Sequence, residues 1–185
     1  MTTHYYTIDT SSLGYRGNDI RPGIRWGAAA SAGVVAGLVF MMMEMLLVWL
    51  AMGQSPWGPP RMIAAMAMGR EVLPPPATFS VGIMMVAMII HIMLSVVYGL
   101  IIGAIVHRMG GGAALATGAG FGLVALYLLN FHVVAPMMFP WFTEVQNWVS
   151  LLSHVVFGVV AAAIYKGVLW STKHAEESVN LANVP

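Results

Sequence analysis

The chain has 185 residues, of which 59% are hydrophobic and 8% charged, and its mean hydropathy is +0.80. Soluble globular domains are about 25% charged, so this composition excludes one and predicts an integral membrane protein. A formal net charge of +1 provides no basic surface for nucleic acid, and the lack of cysteine excludes disulfides and thiolate metal sites.

The elements are predicted in chain order from the positions of the apolar stretches. Residues 1 to 23 contain glycine, proline and mixed charges without an apolar run, which predicts a flexible cytoplasmic tail. Four stretches are long enough to cross the roughly 30 Å hydrocarbon layer as helices. They lie at about residues 26–52, 79–106, 112–134 and 148–169. The membrane domain is therefore expected over residues 24–170, and residues 171–185 are expected to form a second cytoplasmic tail.

The loops between these spans differ in character. In the first loop, Pro59 and Pro60 suit the start of a helix that Gly69 would end. A helix of about ten residues is too short to cross a bilayer, so we expect it to lie at the outer surface. Spans two and three are joined by a short glycine-rich turn after Arg108, which predicts a close hairpin. The predicted fold is an all-α, antiparallel four-helix transmembrane bundle with a short interfacial helix in the first outer loop.

The distribution of lysine and arginine predicts the orientation, because basic residues favour the cytoplasmic side. The side opposite the first loop collects Arg16, Arg21, Arg25, Arg108, Lys166 and Lys173. The first loop carries only Arg61 and Arg70. Both termini are therefore expected in the cytoplasm.

Each span contains one ionisable side chain in its interior: Glu44, His91, His132 and His154. Such a group is costly in hydrocarbon and must face protein, water or a ligand. In span two, His91 lies on a four-residue ladder of small residues, which marks a helix-packing face: Ala87, Ser95, Gly99 and Gly103. The four ionisable groups are therefore expected to converge on one interior site. On a regular helix His132 and Asn130 point almost oppositely, so only one of them can join it.

Two kinds of bound group fit these residue types. Glu44, His91, His132 and His154 form a candidate proton-binding or metal-binding cluster, with copper or zinc as the candidate metals because only nitrogen, oxygen and thioether ligands are present. Alternatively, His91 and His154 on facing helices could be the axial ligands of haem b.

Other interpretations stay open. Buried histidines and glutamates also serve as simple interhelical hydrogen-bonding groups, which would suit an accessory subunit of a larger membrane complex or a homo-oligomer. Intramembrane charges also mark transport pathways, which would suit a small oligomeric transporter or channel-like protein. The sequence contains no Gly-x-Ser-x-Gly, His-Glu-x-x-His or P-loop pattern, so an enzyme is not favoured.

Several short motifs occur in an order similar to that of the YagU-like small inner-membrane proteins of bacteria. The resemblance covers about residues 30 to 166 and rests on Gly33-Val34-Val35-Ala36-Gly37, Pro59-Pro60-Arg61, His91-Ile92-Met93-Leu94-Ser95, Pro140-Trp141 and His154. It implies four helices in a bacterial cytoplasmic membrane and no particular activity.

Overall fold

The computed structural model describes residues 23 to 182, and the regular elements of that part of the chain are all helical. In chain order they are α1 (Trp26–Met52), α2 (Gly58–Met68), a 3₁₀ turn (Arg70–Val72), α3 (Val81–Val106), α4 (Gly111–Phe121), a π-helical segment (Gly122–Val134), α5 (Ala135–Met138), a second 3₁₀ turn (Pro140–Val145) and α6 (Trp148–Ala182).

Four of the helical stretches are long and apolar enough to cross a membrane: Trp26–Met52, Val81–Val106, Gly111–Met138 and Trp148–Ala175. The predicted all-α fold with four membrane-length helices is confirmed at this level, and it indicates a multi-pass membrane protein. Helix α6 continues to Ala182, well past the predicted end at residue 169. The predicted N-terminal tail lies outside the described residues apart from Gly23.

Helices α1 and α3 pack through their small residues. A methyl group placed on Gly33 would overlap the backbone at Ser95 and Gly99, and one placed on Gly103 would overlap the Ala29 side chain. Close backbone approach of this kind supplies association energy where lipid removes the hydrophobic driving force. The small-residue ladder in the sequence of α3 is therefore its contact face with α1.

A second contact of the same type joins α4 to α6. A methyl group on Gly118 would overlap the Gly158 carbonyl, and one on Gly158 would overlap the Gly118 carbonyl. One turn later, a methyl group on Gly122 would overlap the backbone of His154. Two glycine-mediated helix pairs thus fix the positions of His91 on α3 and His154 on α6.

The third membrane-length stretch changes its helical register part-way along. From Gly122 to Val134 it is a π-helix, a form defined by bonds from an amide to the carbonyl five residues earlier, as the Ala135 amide makes to the Asn130 carbonyl. In this register the proline at position 136 leaves the Phe131 carbonyl without an amide partner. The Gln146 side-chain amide donates to that carbonyl over 3.1 Å instead. The α-helical pattern of the sequence would place the freed carbonyl at His132, one residue away.

The end of the bundle that contains α2 has its own aromatic core. The π-helical segment, α2 and the second 3₁₀ turn meet there through Ala65, Tyr127, Phe131, Trp141 and Phe142, which are all buried. The Trp141 indole donates from Nε1 to the Met62 carbonyl over 3.2 Å. Helix α2 therefore covers this end of the bundle and is attached to the loop that precedes α6.

Candidate functional site

Three of the four predicted site residues line one cavity. Glu44 from α1, His91 from α3 and His154 from α6 all contribute to its wall, and its volume is about 330 Å³. The cavity lies at the α2 end of the bundle and also borders Met62 and Ile63 of α2. Three of the four ionisable residues therefore border the same cavity.

His91 is oriented by the backbone of α1. Its Nε2–H group donates to the Gly37 carbonyl over 2.8 Å, and the ring is 7% exposed. A carbonyl oxygen has two lone pairs, so Gly37 can accept this bond in addition to a helical one. Gly37 permits the approach because a methyl group there would overlap the Ser95 side chain. The close α1–α3 contact and the orientation of His91 thus have the same structural origin.

His154 is oriented by its own helix. Its Nδ1–H group donates to the Ser150 carbonyl, one turn earlier in α6, over 2.6 Å. The ring of Phe40 packs against both imidazoles, with centroid distances of 5.3 Å to His91 and 5.0 Å to His154. Each histidine therefore uses one ring nitrogen for a backbone hydrogen bond and packs one side of its ring against the same phenyl group.

Glu44 faces two serines of α6. The Ser150 hydroxyl lies 3.0 Å from Glu44 Oε1 and 2.6 Å from the Val145 carbonyl oxygen. The Ser153 hydroxyl lies beside the same carboxyl group, yet neither Ser153 Oγ nor Glu44 Oε2 has a hydrogen-bond partner among the described residues. Glu44 is only 6% exposed. Its carboxyl group is thus buried with an incomplete set of partners.

The beginning of α6 positions these serines. Asn147 caps the helix, because its Oδ1 accepts from the amides of Val149 over 2.9 Å and Ser150 over 3.2 Å. Ser150 and Ser153 are 1% and 0% exposed. The spacing of Ser150 four residues before His154 is visible in the sequence, but its contact with Glu44 is not.

His132, the fourth predicted site residue, does not line the cavity. It is exposed, and its Nδ1–H group donates to the Tyr127 carbonyl over 3.0 Å. Asn130 lines the cavity instead. Because the π-helix turns each residue through a smaller angle than an α-helix, the third helix presents Asn130 rather than His132 to the interior.

The predicted metal cluster of Glu44, His91, His132 and His154 is not brought together at the cavity, because His132 does not border it. Within residues 23 to 182 no group of three or more His, Asp or Glu side chains has positions that could hold a metal ion. His91 and His154 each have one ring nitrogen bonded to a carbonyl, which leaves the other nitrogen of each ring without a partner among the described residues. We derive no metal chemistry from this arrangement.

A haem between His91 and His154 also fits poorly. The Phe40 ring packs against both imidazoles and occupies space beside each of them. The cavity of about 330 Å³ is at the lower end of the range of small-molecule sites, roughly 300–1,000 Å³. The dimensions favour a ligand much smaller than a porphyrin.

Hydrogen bonds hold the segment that follows α2 beside the cavity, and this hydrogen-bonded segment is referred to as the cap. Arg61 of α2 donates from Nη1 to the Val72 carbonyl over 2.7 Å and from Nη2 to the Thr78 carbonyl over 2.9 Å. These bonds fold the segment after α2 back onto it, and the Ser55 hydroxyl donates to the Ala77 carbonyl nearby. Ser55 and Ala77 themselves border the cavity, so the cap and the cavity wall share residues.

Most of the remaining wall is apolar and aromatic. Phe131 and Phe142 come from the aromatic core of the α2 end, and Phe157 follows His154 on α6 by three residues. Tyr98 lies on α3, seven residues after His91. These residues are not distinguishable from ordinary membrane-helix residues in the sequence, which explains why the sequence did not indicate them.

Comparisons with known proteins add no relative. No protein-family model, no curated protein and no solved structure matches the chain. The resemblance to the YagU-like proteins therefore rests on the short sequence motifs alone.

Proposed function

We propose that the chain is a four-span protein of a bacterial cytoplasmic membrane that binds a small, mainly apolar molecule in the cavity between α1, α3 and α6. The supporting observation is that Glu44, His91 and His154 share a cavity whose other walls are largely apolar. Small-molecule sites in proteins typically combine an apolar lining with a few placed polar groups.

The proposed arrangement in the membrane is antiparallel, with both termini in the cytoplasm and α2 at the outer surface. The order of contacts between α1 and α3 supports it, since Ala29 meets Gly103 and Gly37 meets Ser95. At the end of the bundle away from α2, the Lys166 ammonium lies 3.4 Å from the carbonyl of His107, the residue that precedes Arg108. Basic residues from two parts of the chain therefore lie at this end. Basic residues favour the cytoplasmic side.

The orientation can be tested by labelling, because the natural chain has no cysteine. We expect Glu144→Cys to react with a membrane-impermeant maleimide on intact spheroplasts, and Ala175→Cys to react only after lysis. Both positions are exposed. The opposite pattern would contradict the proposed orientation, and reaction of both before lysis would contradict the placement of these two sites on opposite sides.

Glu44 is proposed to be a neutral carboxylic acid. The single hydrogen of the Ser150 hydroxyl faces two oxygen atoms, the Val145 carbonyl at 2.6 Å and Glu44 Oε1 at 3.0 Å. A protonated Glu44 resolves this conflict, because it donates to Ser150 Oγ while Ser150 donates to Val145. Among residues 23 to 182 the polar side chains at the Glu44 carboxyl group are serines and not lysine or arginine, and an unpaired charge at this depth is costly.

Infrared spectroscopy tests the proton on Glu44. We expect a carboxylic-acid C=O stretching band at neutral pH that disappears in Glu44→Gln. The matched control is Glu71→Gln, because Glu71 is exposed at the α2 end and its replacement should leave the band unchanged. A spectrum without the band, or a band that survives in Glu44→Gln, would show that Glu44 does not carry the proton.

Ligand binding by the cavity is tested with two small probes of nearly equal shape, 4-fluorophenol and 4-fluorotoluene. In nanodiscs, ¹⁹F NMR should detect saturable binding of at least one of them to the natural chain. Ile63→Trp should abolish it because Ile63 borders the cavity, whereas Met68→Trp on the same helix should not, since Met68 is 42% exposed and does not border it. Binding of neither probe, or binding unaffected by Ile63→Trp, would contradict a ligand cavity and favour a purely structural role in a complex.

A further inference from the structure

The two histidines of the cavity have defined tautomers. A neutral imidazole carries one N–H group. His91 uses its N–H at Nε2 for the Gly37 carbonyl, and His154 uses its N–H at Nδ1 for the Ser150 carbonyl. Within residues 23 to 182 the hydrogen-bond partners of the two rings are backbone carbonyls and not carboxylates, and a cationic ring would be costly at this depth. Both histidines are therefore neutral and both N–H groups are occupied.

The remaining nitrogens are hydrogen-bond acceptors. Nδ1 of His91 and Nε2 of His154 each carry a lone pair, and no hydrogen bond to either atom is formed by the described residues. Both rings border the cavity. A ligand that carries a donor can bond to these nitrogens, whereas a ligand with only acceptors would face a lone pair. Asn130, Gln54 and Tyr98 also border the cavity. Each of these side chains offers both a donor and an acceptor, so none of them selects between the two kinds of ligand.

The rest of the wall favours an aromatic ring. Phe40 already packs edge-on against His154, and Phe131 packs against the same imidazole with a centroid distance of 4.9 Å. Phe142 and Phe157 extend this surface around the cavity. Aromatic rings gain energy from offset-stacked and edge-to-face contacts of this kind, beyond the burial of their area.

We infer that the ligand of this cavity is a small aromatic molecule that bears a hydroxyl group, and that the hydroxyl donates to Nδ1 of His91 or Nε2 of His154. This inference rests on the proposed ligand-binding function and specifies its chemical class. Methylation of the hydroxyl removes the donor while it retains the ring and the oxygen, so the inference predicts discrimination between a phenol and its methyl ether.

The test compares 4-fluorophenol with 4-fluoroanisole on the full-length chain in nanodiscs. We expect 4-fluorophenol to bind about tenfold more tightly after correction for partition into lipid, the ratio that corresponds to about 1.4 kcal/mol. This preference should disappear in His154→Phe or in His91→Phe. It should persist in His132→Phe, the matched control, because His132 does not border the cavity.

A second measurement does not depend on the folding of a histidine variant. The ¹⁵N spectrum of the natural chain should show an unprotonated Nδ1 on His91 and an unprotonated Nε2 on His154. The signal of at least one of these atoms should shift when 4-fluorophenol is added, and neither should shift with 4-fluoroanisole.

The outcomes separate the inference from the proposed function. Equal affinity of the natural chain for 4-fluorophenol and 4-fluoroanisole, with both displaced by Ile63→Trp, would overturn the donor requirement and leave the ligand cavity in place. A preference that survives in both His154→Phe and His91→Phe would overturn the role of the histidines. Failure of every probe to bind would overturn the proposed function itself.

Discussion

The two halves of the bundle use the same four membrane-length helices in different ways. In the half away from α2, the helices meet at glycines: Gly33 against Gly99, and Gly118 against Gly158. In the α2 half, the contacts are made by aromatic and polar side chains, and a cavity of about 330 Å³ lies between them.

The boundary between the two halves coincides with the histidines. Gly37 is the last close-contact glycine of α1 and accepts the hydrogen bond from His91. Gly122 abuts the backbone of His154. In a membrane, helix association depends on packing and interhelical hydrogen bonds. The glycine half therefore supplies the stability that allows the α2 half to retain a void and buried polar groups.

The largest effect is expected from an overpacking substitution in the glycine half. Gly99→Leu places a side chain against the backbone of Gly33 and Ala29, which has no flexible group that can move aside. We expect the free energy of unfolding to fall by about 3 kcal/mol or more, measured by titration from mixed micelles into dodecyl sulfate. Gly120→Leu is the control, because nothing lies within 4 Å of the position of its Cβ. If the free energy of unfolding fell by a similar amount in both variants, the glycine contacts would not be the source of the stability of this half.

An intermediate effect is expected from two serines of the α2 half that differ only in their partners. Both are fully buried on α6, but Ser150 contacts Glu44 and Val145 whereas Ser153 has no hydrogen-bond partner among the described residues. Ser150→Ala leaves the buried Glu44 Oε1 without its partner, whereas the Val145 carbonyl keeps its bond from the Asn147 amide. The substitution should cost about 1–3 kcal/mol.

Ser153→Ala is the matched comparison. It removes a buried hydroxyl that makes no bond, so the free energy of unfolding should be unchanged or slightly higher. Measured in the same titration, equal destabilisation by the two substitutions would show that Ser153 is paired in the membrane and that the unpaired Glu44 oxygen has a partner there.

The predictability of the two halves from sequence also differs. The ladder from Ala87 to Gly103 has the four-residue period of an α-helix, and its small residues do lie at the α1 contact. The same periodicity placed Glu44, His91 and His154 in the interior, because α1, α3 and α6 keep a regular register. The expectation that all four ionisable residues share one site was wrong for His132, because the π-helical segment changes the angle between successive side chains.

The change of register has no simple signal in the sequence. Pro136 indicates that one carbonyl lacks its amide, but the identity of that carbonyl depends on the register, and only the structure assigns it to Phe131. The partner, Gln146, lies ten residues beyond the proline in a separate loop. Contacts of this kind depend on how the chain returns to the bundle, so they could not be read from local spacing.

The smallest expected effect tests this relation between Pro136 and Gln146. Gln146→Ala removes the donor to the Phe131 carbonyl and should lower the free energy of unfolding by about 1 kcal/mol. In a Pro136→Ala background the new backbone amide can bond to the same carbonyl in the π register, so Gln146→Ala should cost markedly less there. The difference between the two costs is the coupling energy of a double-mutant cycle.

The presence or absence of this coupling distinguishes two registers of the third helix. If the segment is π-helical, residue 136 and Gln146 compete for one carbonyl, and each substitution changes the effect of the other. If the segment were α-helical, the amide of residue 136 would bond to His132 and leave Phe131 to the amide of Ala135, so the two substitutions would add independently. Additive losses would therefore remove the physical basis for the exposure of His132 and for the position of Asn130 in the cavity wall.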